Sequence, residues 1–251
     1  MANASANLLL RRPYLFECIY PEADKDTAEV CSKLIERFSP CGSLTILDVC
    51  CRTARILASL VGRGHSGVGI DNLEPMIEYA RSQNPGLRIE HGDMRTFDLG
   101  EEFDAVICVN STFTYNLNNA DVHASLENFR RHLKDGGLLI LDLLNASRFL
   151  SSEVFRERIE TRVSEGDFHA VAISRHILDR RKQCFRRIRT WKIEGESELL
   201  VDDAAYRLLF PLELEYYLTQ HNFSVLGMWD NKFLDESDFS GRRLYAVVRA
   251  M

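Results

Sequence analysis

The chain has 251 residues, 45% hydrophobic and 27% charged, with a formal net charge of −6, which suits one globular domain carrying a subdomain. That charge argues against a nucleic-acid partner, no run approaches the ~18 apolar residues of a membrane-spanning helix, and the N-terminus lacks a signal-peptide pattern. Seven cysteines is an odd number, and Cys50, Cys51 and Cys108 lie in apolar stretches, so they read as reduced, buried thiols of a cytoplasmic protein rather than disulfides or a zinc site.

Residues 1 to 12 read as loose, followed by Tyr14, Phe16 and Tyr20 near a proline. Val30, Leu34 and Phe38 have helical spacing over Asp26 to Phe38, with Asp26 as a cap. The apolar run Leu44 to Leu47 then ends in Asp48, a short turn follows, and Ile56, Leu57, Leu60 and Val61 mark a helix. Gly67 to Ile70, ending in Asp71, is a second strand, and Pro75 opens the helix of Met76, Ile77 and Ala80. Leu87 to His91 runs into Gly92-Asp93-Met94, and Ala105 to Val109 ends at Asn110-Ser111. A helix through Val122, Leu126, Phe129 and Leu133 leads by the turn Asp135-Gly136-Gly137 to a fifth strand, Leu138 to Leu143. Five strands alternating with helices imply a doubly wound, mostly parallel sheet with right-handed crossovers.

From Arg158 to Leu209 the period changes to two, with turns near Gly166, Asp179-Arg180 and Gly195. This predicts three or four antiparallel strands inserted into the α/β fold. The arginines from Arg180 to Arg189 alternate with apolar residues and read as the wet face of those strands. Pro211 opens a last helix, and Phe223 to Trp229 and Leu244 to Arg249 close the chain. The expected division is an N-terminal lid and helix (1–40), an α/β core (41–150), the β insertion (151–210) and the closing helix and strands (211–251).

Three strands end in an acid: Asp48, Asp71 and Asp93. Carboxyl ends of parallel strands open on one edge, where such sheets bind their ligands, so the three acids share a crevice. Asp71 follows Asp48 by 23 residues, near the ~20 between a nucleotide loop and a ribose-binding acid. A carboxylate there accepts hydrogen bonds from a ribose diol, and Asp93 is placed for an adenine amine. A pyrophosphate needs close backbone approach at the first loop, which Cys50, Arg52 and Ala54 do not offer, so adenosine without phosphates is the better ligand.

The segments LDVCCRTA, VGIDNLEPMIEYAR, IEHGDMRTF, FDAVICVNSTFTY and LKDGGLLILDLLNASRF, in this order, resemble the class I S-adenosylmethionine (SAM) dependent methyltransferases. The likeness is to small-molecule enzymes with an antiparallel insertion, and the tail FSVLGMWDNKFLDESDFSGRRLYAVVRA extends it over nearly the whole chain. The resemblance implies a seven-stranded sheet, SAM as cofactor and no metal. It places Asp71 on the ribose, Asn72 and Met76 beside the adenine, Asp93 and Met94 on the adenine, and Asn110 and Ser111 near the sulfonium. Tyr14 and Tyr20 would lie on a lid over the cofactor, and Asp142 and Asn145 would face the acceptor.

The family's first loop reads Asp-x-Gly-x-Gly-x-Gly; here Cys50, Arg52 and Ala54 replace the glycines. Arg52 has three placements open to it: outward to solvent, into the methionine subsite, or clasping a carboxylate with its planar fork. Three readings follow. The first is methyl transfer to an N or O nucleophile of a small metabolite, with His169, His176 or Tyr206 as candidate bases. The second is cyclisation of SAM to azetidine-2-carboxylate and methylthioadenosine, with aromatic faces such as Tyr14 or Tyr115 near the sulfonium. The third is a non-catalytic relative. The insertion has two roles open to it, roofing the site or pairing two copies into a homodimer.

Overall fold

The computed structural model describes residues 7–21, 23–39, 42–150 and 157–251. Its larger sheet holds seven strands: β1 (Thr45–Val49), β2 (Ser66–Asp71), β3 (Arg88–His91), β4 (Phe103–Cys108), β5 (Leu133–Leu144), β10 (Phe223–Trp229) and β11 (Arg243–Ala250). They lie in the order β10-β11-β5-β4-β1-β2-β3. The pairs from β3 to β5 are parallel, and only β11 runs antiparallel to both its neighbours. Strand order reverses between β1 and β4, so a crevice opens at their carboxyl ends.

The sequence accounts for this sheet directly. Ile46, Leu47 and Val49 of β1 and Val106 and Ile107 of β4 are fully buried, because helices cover both faces of a parallel sheet and its strands must be apolar throughout. Helices α4 (Arg55–Gly62), α5 (Glu74–Gln83) and α6 (Asn119–Arg131) each bury one stripe, for instance Ile56, Leu57 and Leu60 on α4. Gly69 of β2 is needed for packing, since a Cβ there would lie 2.8 Å from the Cys51 sulfur.

Four boundaries differ from the sequence reading. Residues 8–11 are not loose but form α1 (Leu8–Arg11), followed by α2 (Pro13–Ile19). Leu8, Leu9 and Leu10 are buried in a run too short for periodicity to reveal. Helix α3 (Ala23–Phe38) begins three residues before Asp26, so that residue is not its cap; it pairs instead with Lys232 at 3.0 Å. The helix expected through Leu133 ends at Arg131, and β5 begins at Leu133. Gly136, at φ +78°, lies inside that strand, beside the register shift between Phe103 and Ala105.

The insertion forms four antiparallel strands, β6 (Arg158–Glu165), β7 (Phe168–Asp179), β8 (Cys184–Ile193) and β9 (Leu200–Arg207), in sequence order. Its inner face supplies Ala170, Ala172, Trp191 and Ile193 to a cluster with Leu8, Leu9, Leu10, Leu15, Phe16, Ile19 and Met76. The N-terminal helices are thus clamped between the insertion and α5. No helix among the described residues is long and apolar enough to cross a membrane.

Candidate active site

Two cavities open at the carboxyl edge of the large sheet. The smaller, of about 300 Å³, is lined by Cys50, Arg52, Asp71, Asn72, Asp93 and Met94, among others. The larger, of about 620 Å³, lies between the sheet edge, the N-terminal helices and the insertion, and is lined by Tyr20, Asn110, Ser111 and Tyr206, among others. Leu10, Arg52, Thr112 and Tyr115 line both, so the cavities share a wall or a passage.

The loop after β1 explains how a glycine-free segment serves here. Cys50, Arg52 and Ala54 have φ of +60°, +54° and +62°: the three positions where the resembling family carries glycine all adopt the left-handed conformation. Each costs an L-residue about 1–2 kcal/mol, and the surrounding contacts hold it. The Arg52 amide donates to Asp71 Oδ2 at 2.9 Å, the Leu73 amide donates to Asp71 Oδ1 at 3.0 Å, and the Cys51 amide donates to the Ile70 carbonyl. The Asp71 carboxylate therefore fixes both the first loop and the turn after its own strand. A carboxylate oxygen has a second lone pair, and Asp71 lines the smaller cavity. Burial pushes its pKa up, and the loop amides oppose that.

Arg52 does not point to solvent, its side chain being 12% exposed. It clasps a carboxylate of the protein itself, its Nη2 donating to Asp24 Oδ1 at 2.8 Å, with the guanidinium 4.7 Å from the Phe16 ring centroid. Asp24 also accepts from Arg55 Nε at 2.9 Å and Asn110 Nδ2 at 2.8 Å. One buried acid in the first turn of α3 thus ties the loop after β1, the start of α4 and the end of β4 together. Nothing in the sequence singled Asp24 out, because an acid at a helix start is ordinary capping chemistry.

Asn110 and Ser111, also left-handed at φ +59° and +61°, are braced from below. Asp142 accepts from the Asn110 amide at 3.1 Å, Ser111 Oγ at 3.3 Å and Arg243 Nη1 at 2.8 Å. Asp93 is gripped by Arg95 through Nε at 2.8 Å, which lowers its pKa. Tyr115, its pKa raised by burial, accepts from Asn7 at 3.3 Å and packs on Tyr206 at 5.2 Å between centroids. Tyr20 faces the larger cavity and accepts from Arg189 Nη1 at 3.3 Å.

Five expected site residues lie elsewhere. Tyr14 is 67% exposed on the outer face of α2, in an open groove beside Pro75 and Tyr79. Met76 is fully buried in the cluster under α1 and α2. Asp48 is buried and lines neither cavity; Oδ2 has no partner among the described residues, and burial, with Asp24 and Asp71 nearby, raises the carboxyl to about 8. Asp142 is fully buried beneath Asn110 and Ser111, so it positions them rather than facing an acceptor. Asn145 donates to the Phe239 and Gly241 carbonyls at 2.7 and 2.8 Å, fastening the segment before β11. Of the candidate bases, His176 and Tyr206 line the larger cavity, whereas His169 is exposed and bonds Ser164 at 2.9 Å.

The larger cavity overturns the reading of the Arg180–Arg189 segment. Arg187 and Arg189 share the inner face of β8 with Phe185 and Trp191, and only neighbours such as Arg186 face outward, where it pairs with Asp203. Its lining holds six arginines (Arg52, Arg148, Arg187, Arg189, Arg242 and Arg243) and no aspartate or glutamate. Buried Asp202 accepts from Arg189 Nε at 2.8 Å and Trp191 Nε1 at 2.9 Å, while Arg187 stays 3.9 Å from it. Among the described residues, Arg148 has only the Ser240 carbonyl at 2.9 Å and Arg242 has no side-chain partner.

Residues 46–137 match a family described as a methyltransferase domain. A dTDP-3-amino-3,6-dideoxy-alpha-D-glucopyranose N,N-dimethyltransferase of Streptomyces fradiae is 31% identical over 151 residues, 57% of this chain and 59% of that one. A glycine/sarcosine N-methyltransferase of Parasynechococcus marenigrum is 33% identical over 43% of this chain and 41% of its own. The chain thus spans less than two thirds of these relatives. Among solved structures, an S-adenosylmethionine-dependent methyltransferase from Clostridium acetobutylicum superposes with TM-score 0.80 at 15% identity, covering 97% of this chain and 99% of its own. Streptomyces venezuelae DesVI superposes at 0.78 with 22% identity, covering 95% of this chain and 97% of its own.

Proposed function

On the premise that residues 46–137 are a methyltransferase domain and that the chain has the class I SAM-dependent methyltransferase fold, we propose that it methylates an amino nitrogen of a small anionic acceptor, a nucleoside-diphosphate amino sugar. The nitrogen and the sugar are supported by relatives that are dTDP-amino-sugar N,N-dimethyltransferases. The anionic group is supported by one observation above all: the larger cavity has six arginines and no carboxylate in its lining. Three of those arginines, Arg148, Arg187 and Arg242, have no hydrogen-bonded acid among the described residues, and a guanidinium fork suits phosphate oxygens.

The smaller cavity fits the adenosine half of SAM by its donor set. The Asp71 and Asp93 carboxylates stand beside apolar Leu10, Leu73 and Met94, which suits a flat base with an amine and a ribose diol. Bound there, SAM supplies a methyl group made electrophilic by its sulfonium. The chain's own residues then act by placement. Asp71 and Asp93 accept from the ribose and the adenine amine, while Asp142 holds Asn110 and Ser111 at the edge of β4. Tyr115, Tyr206 and Phe185, with adjoining rings 5.2 and 5.9 Å apart, wall the larger cavity against water. In-line displacement of this kind gains mainly from proximity and alignment, worth as much as about 7–11 kcal/mol.

An amine must lose a proton before it attacks. His176 is the base in this reading. The arginine field helps it, since neighbouring positive charge disfavours the ammonium form of the acceptor. A second copy pairing through the outer face of β6–β9, where Ile173 and Val201 stand exposed, belongs to the same proposal and is tested by sedimentation.

The test is incubation with SAM and a dTDP-amino sugar, followed by mass spectrometry. The expected result is S-adenosylhomocysteine and mono- and dimethylated sugar, formed only when the acceptor is present. Methylthioadenosine released from SAM alone would establish cyclisation instead. Absence of SAM binding by calorimetry would leave the non-catalytic reading.

A further inference from the structure

The sequence departs most from the resembling family at Arg52, and the structure gives that side chain a fixed position with spare capacity. Three constraints set it. Its backbone is left-handed and its amide is tied to Asp71. Its Nη2 is held by Asp24, a side chain only 7% exposed. Its guanidinium lies over the Phe16 ring at 4.7 Å. A guanidinium so held loses little further freedom when it binds a ligand, which favours affinity.

What remains is directional. Among the described residues Nε and Nη1 of Arg52 have no partner, and the side chain lines both cavities. The neighbouring Arg55 is already engaged by Asp24, by Glu17 at 2.8 Å and by the Tyr20 and Pro21 carbonyls. Arg52 is therefore the cation with free donors at the junction of the two cavities on the side of the nucleotide loop. When adenosine occupies the smaller cavity and the sulfonium faces the larger one, the amino-acid half of the cofactor passes this junction.

We propose that Arg52 receives the methionine carboxylate of SAM through Nη1 and the second N–H of Nη2, so that a charged fork takes the place of the close backbone approach a glycine would provide. The proposal rests on the reading that the chain binds SAM. Asp24 and Phe16 act as positioning residues: they set the plane of the fork and bring the lid to the cofactor. Because the carboxylate and the lid meet on one guanidinium, cofactor binding and lid order are coupled.

The experiment compares two ligands on two proteins by calorimetry. S-adenosylhomocysteine carries the carboxylate; its decarboxylated analogue, S-adenosyl-3-thiopropylamine, keeps the amine and loses it. Wild type is expected to prefer the first by 10- to 100-fold, the range of a charge-assisted hydrogen bond. In Arg52→Gln that preference should collapse to within about 3-fold, while the analogue's own affinity changes little. Arg52→Lys, which keeps the charge but not the fork, should retain an intermediate preference. Equal losses for both ligands in Arg52→Gln would mean that Arg52 only latches the lid, and would overturn the proposal. If neither ligand binds wild type, the SAM reading itself fails, which is a distinguishable result. Should Arg52→Gln not fold, the comparison of Arg52→Lys with wild type on the same two ligands decides.

Discussion

The two cavities share a wall and differ in charge. The smaller is built around carboxylates, with Asp71 and Asp93 each fixed by donors from its own neighbourhood. The larger is built from arginines, and the acids that steady them, Asp24, Asp142 and Asp202, are buried behind the lining. In the proposed function this arrangement separates two tasks. Acceptors facing a cavity read hydroxyls and amines, whereas acids hidden behind arginines hold those arginines in place without cancelling their reach toward an anion. The residues at the junction, above all Arg52, belong to both designs.

The contrast is most sharply tested at Asp71. Replacing it by alanine should weaken SAM binding more than 100-fold by calorimetry, because the change removes both the ribose acceptor and the partner of two loop amides, each charge-assisted bond being worth about 1.5–3 kcal/mol. Arg187→Ala should do the reverse at the other end. The KM for a nucleotide-sugar acceptor is expected to rise about 10- to 100-fold while the affinity for SAM stays within a factor of about two. Equal effects of Arg187→Ala on both ligands would show that the cavities do not divide the work.

A smaller effect concerns the acid that lines neither cavity. The Asp48 carboxyl is raised to about 8, mainly by burial, above its unfolded value of about 3.9, so the folded state binds this proton more tightly. Its contribution to stability is fully present below the unfolded pKa and is lost as pH rises through the folded one. Urea melts should show unfolding free energy falling between pH 5 and 9, with a flatter dependence in Asp48→Asn. A wild-type curve that rises over that range would contradict the burial of a carboxylate whose Oδ2 has no partner among the described residues. The smallest effect is expected from Ala54→Gly. Relief of a left-handed alanine and the added entropy of glycine oppose each other, so stability should change by less than about 1 kcal/mol in the same melts. A larger loss would mean that the loop does not hold the φ of +62°.

Much of this was legible in the chain. The alternation of apolar runs with helical periods predicts the parallel sheet. Asp71 and Asp93 do line one crevice, because a strand-end acid has a position as well as a chemistry. The period-two region predicts the insertion. The same strand-end rule places Asp71 in the cavity lining but Asp142 and Asn145 on protein partners: a strand end puts a residue near the edge without saying whether its side chain faces the crevice or is spent on its neighbours. Met76 and Tyr14 depended on where α1 and α2 lie, which no local pattern encodes.

The sequence by itself determined the order of elements and the edge on which ligands gather, since both follow from period and from the polarity of parallel strands. It also located the loop with three missing glycines. Only the tertiary structure decided that the loop nonetheless keeps the glycine conformation, held by Asp71 from a neighbouring strand. It alone turned Arg187 and Arg189 inward, because alternation fixes that two residues share a face but not which face is covered. And it alone delivered Asp24 to Arg52, a contact across 28 residues that exists because α3 packs on α4 beside the loop after β1.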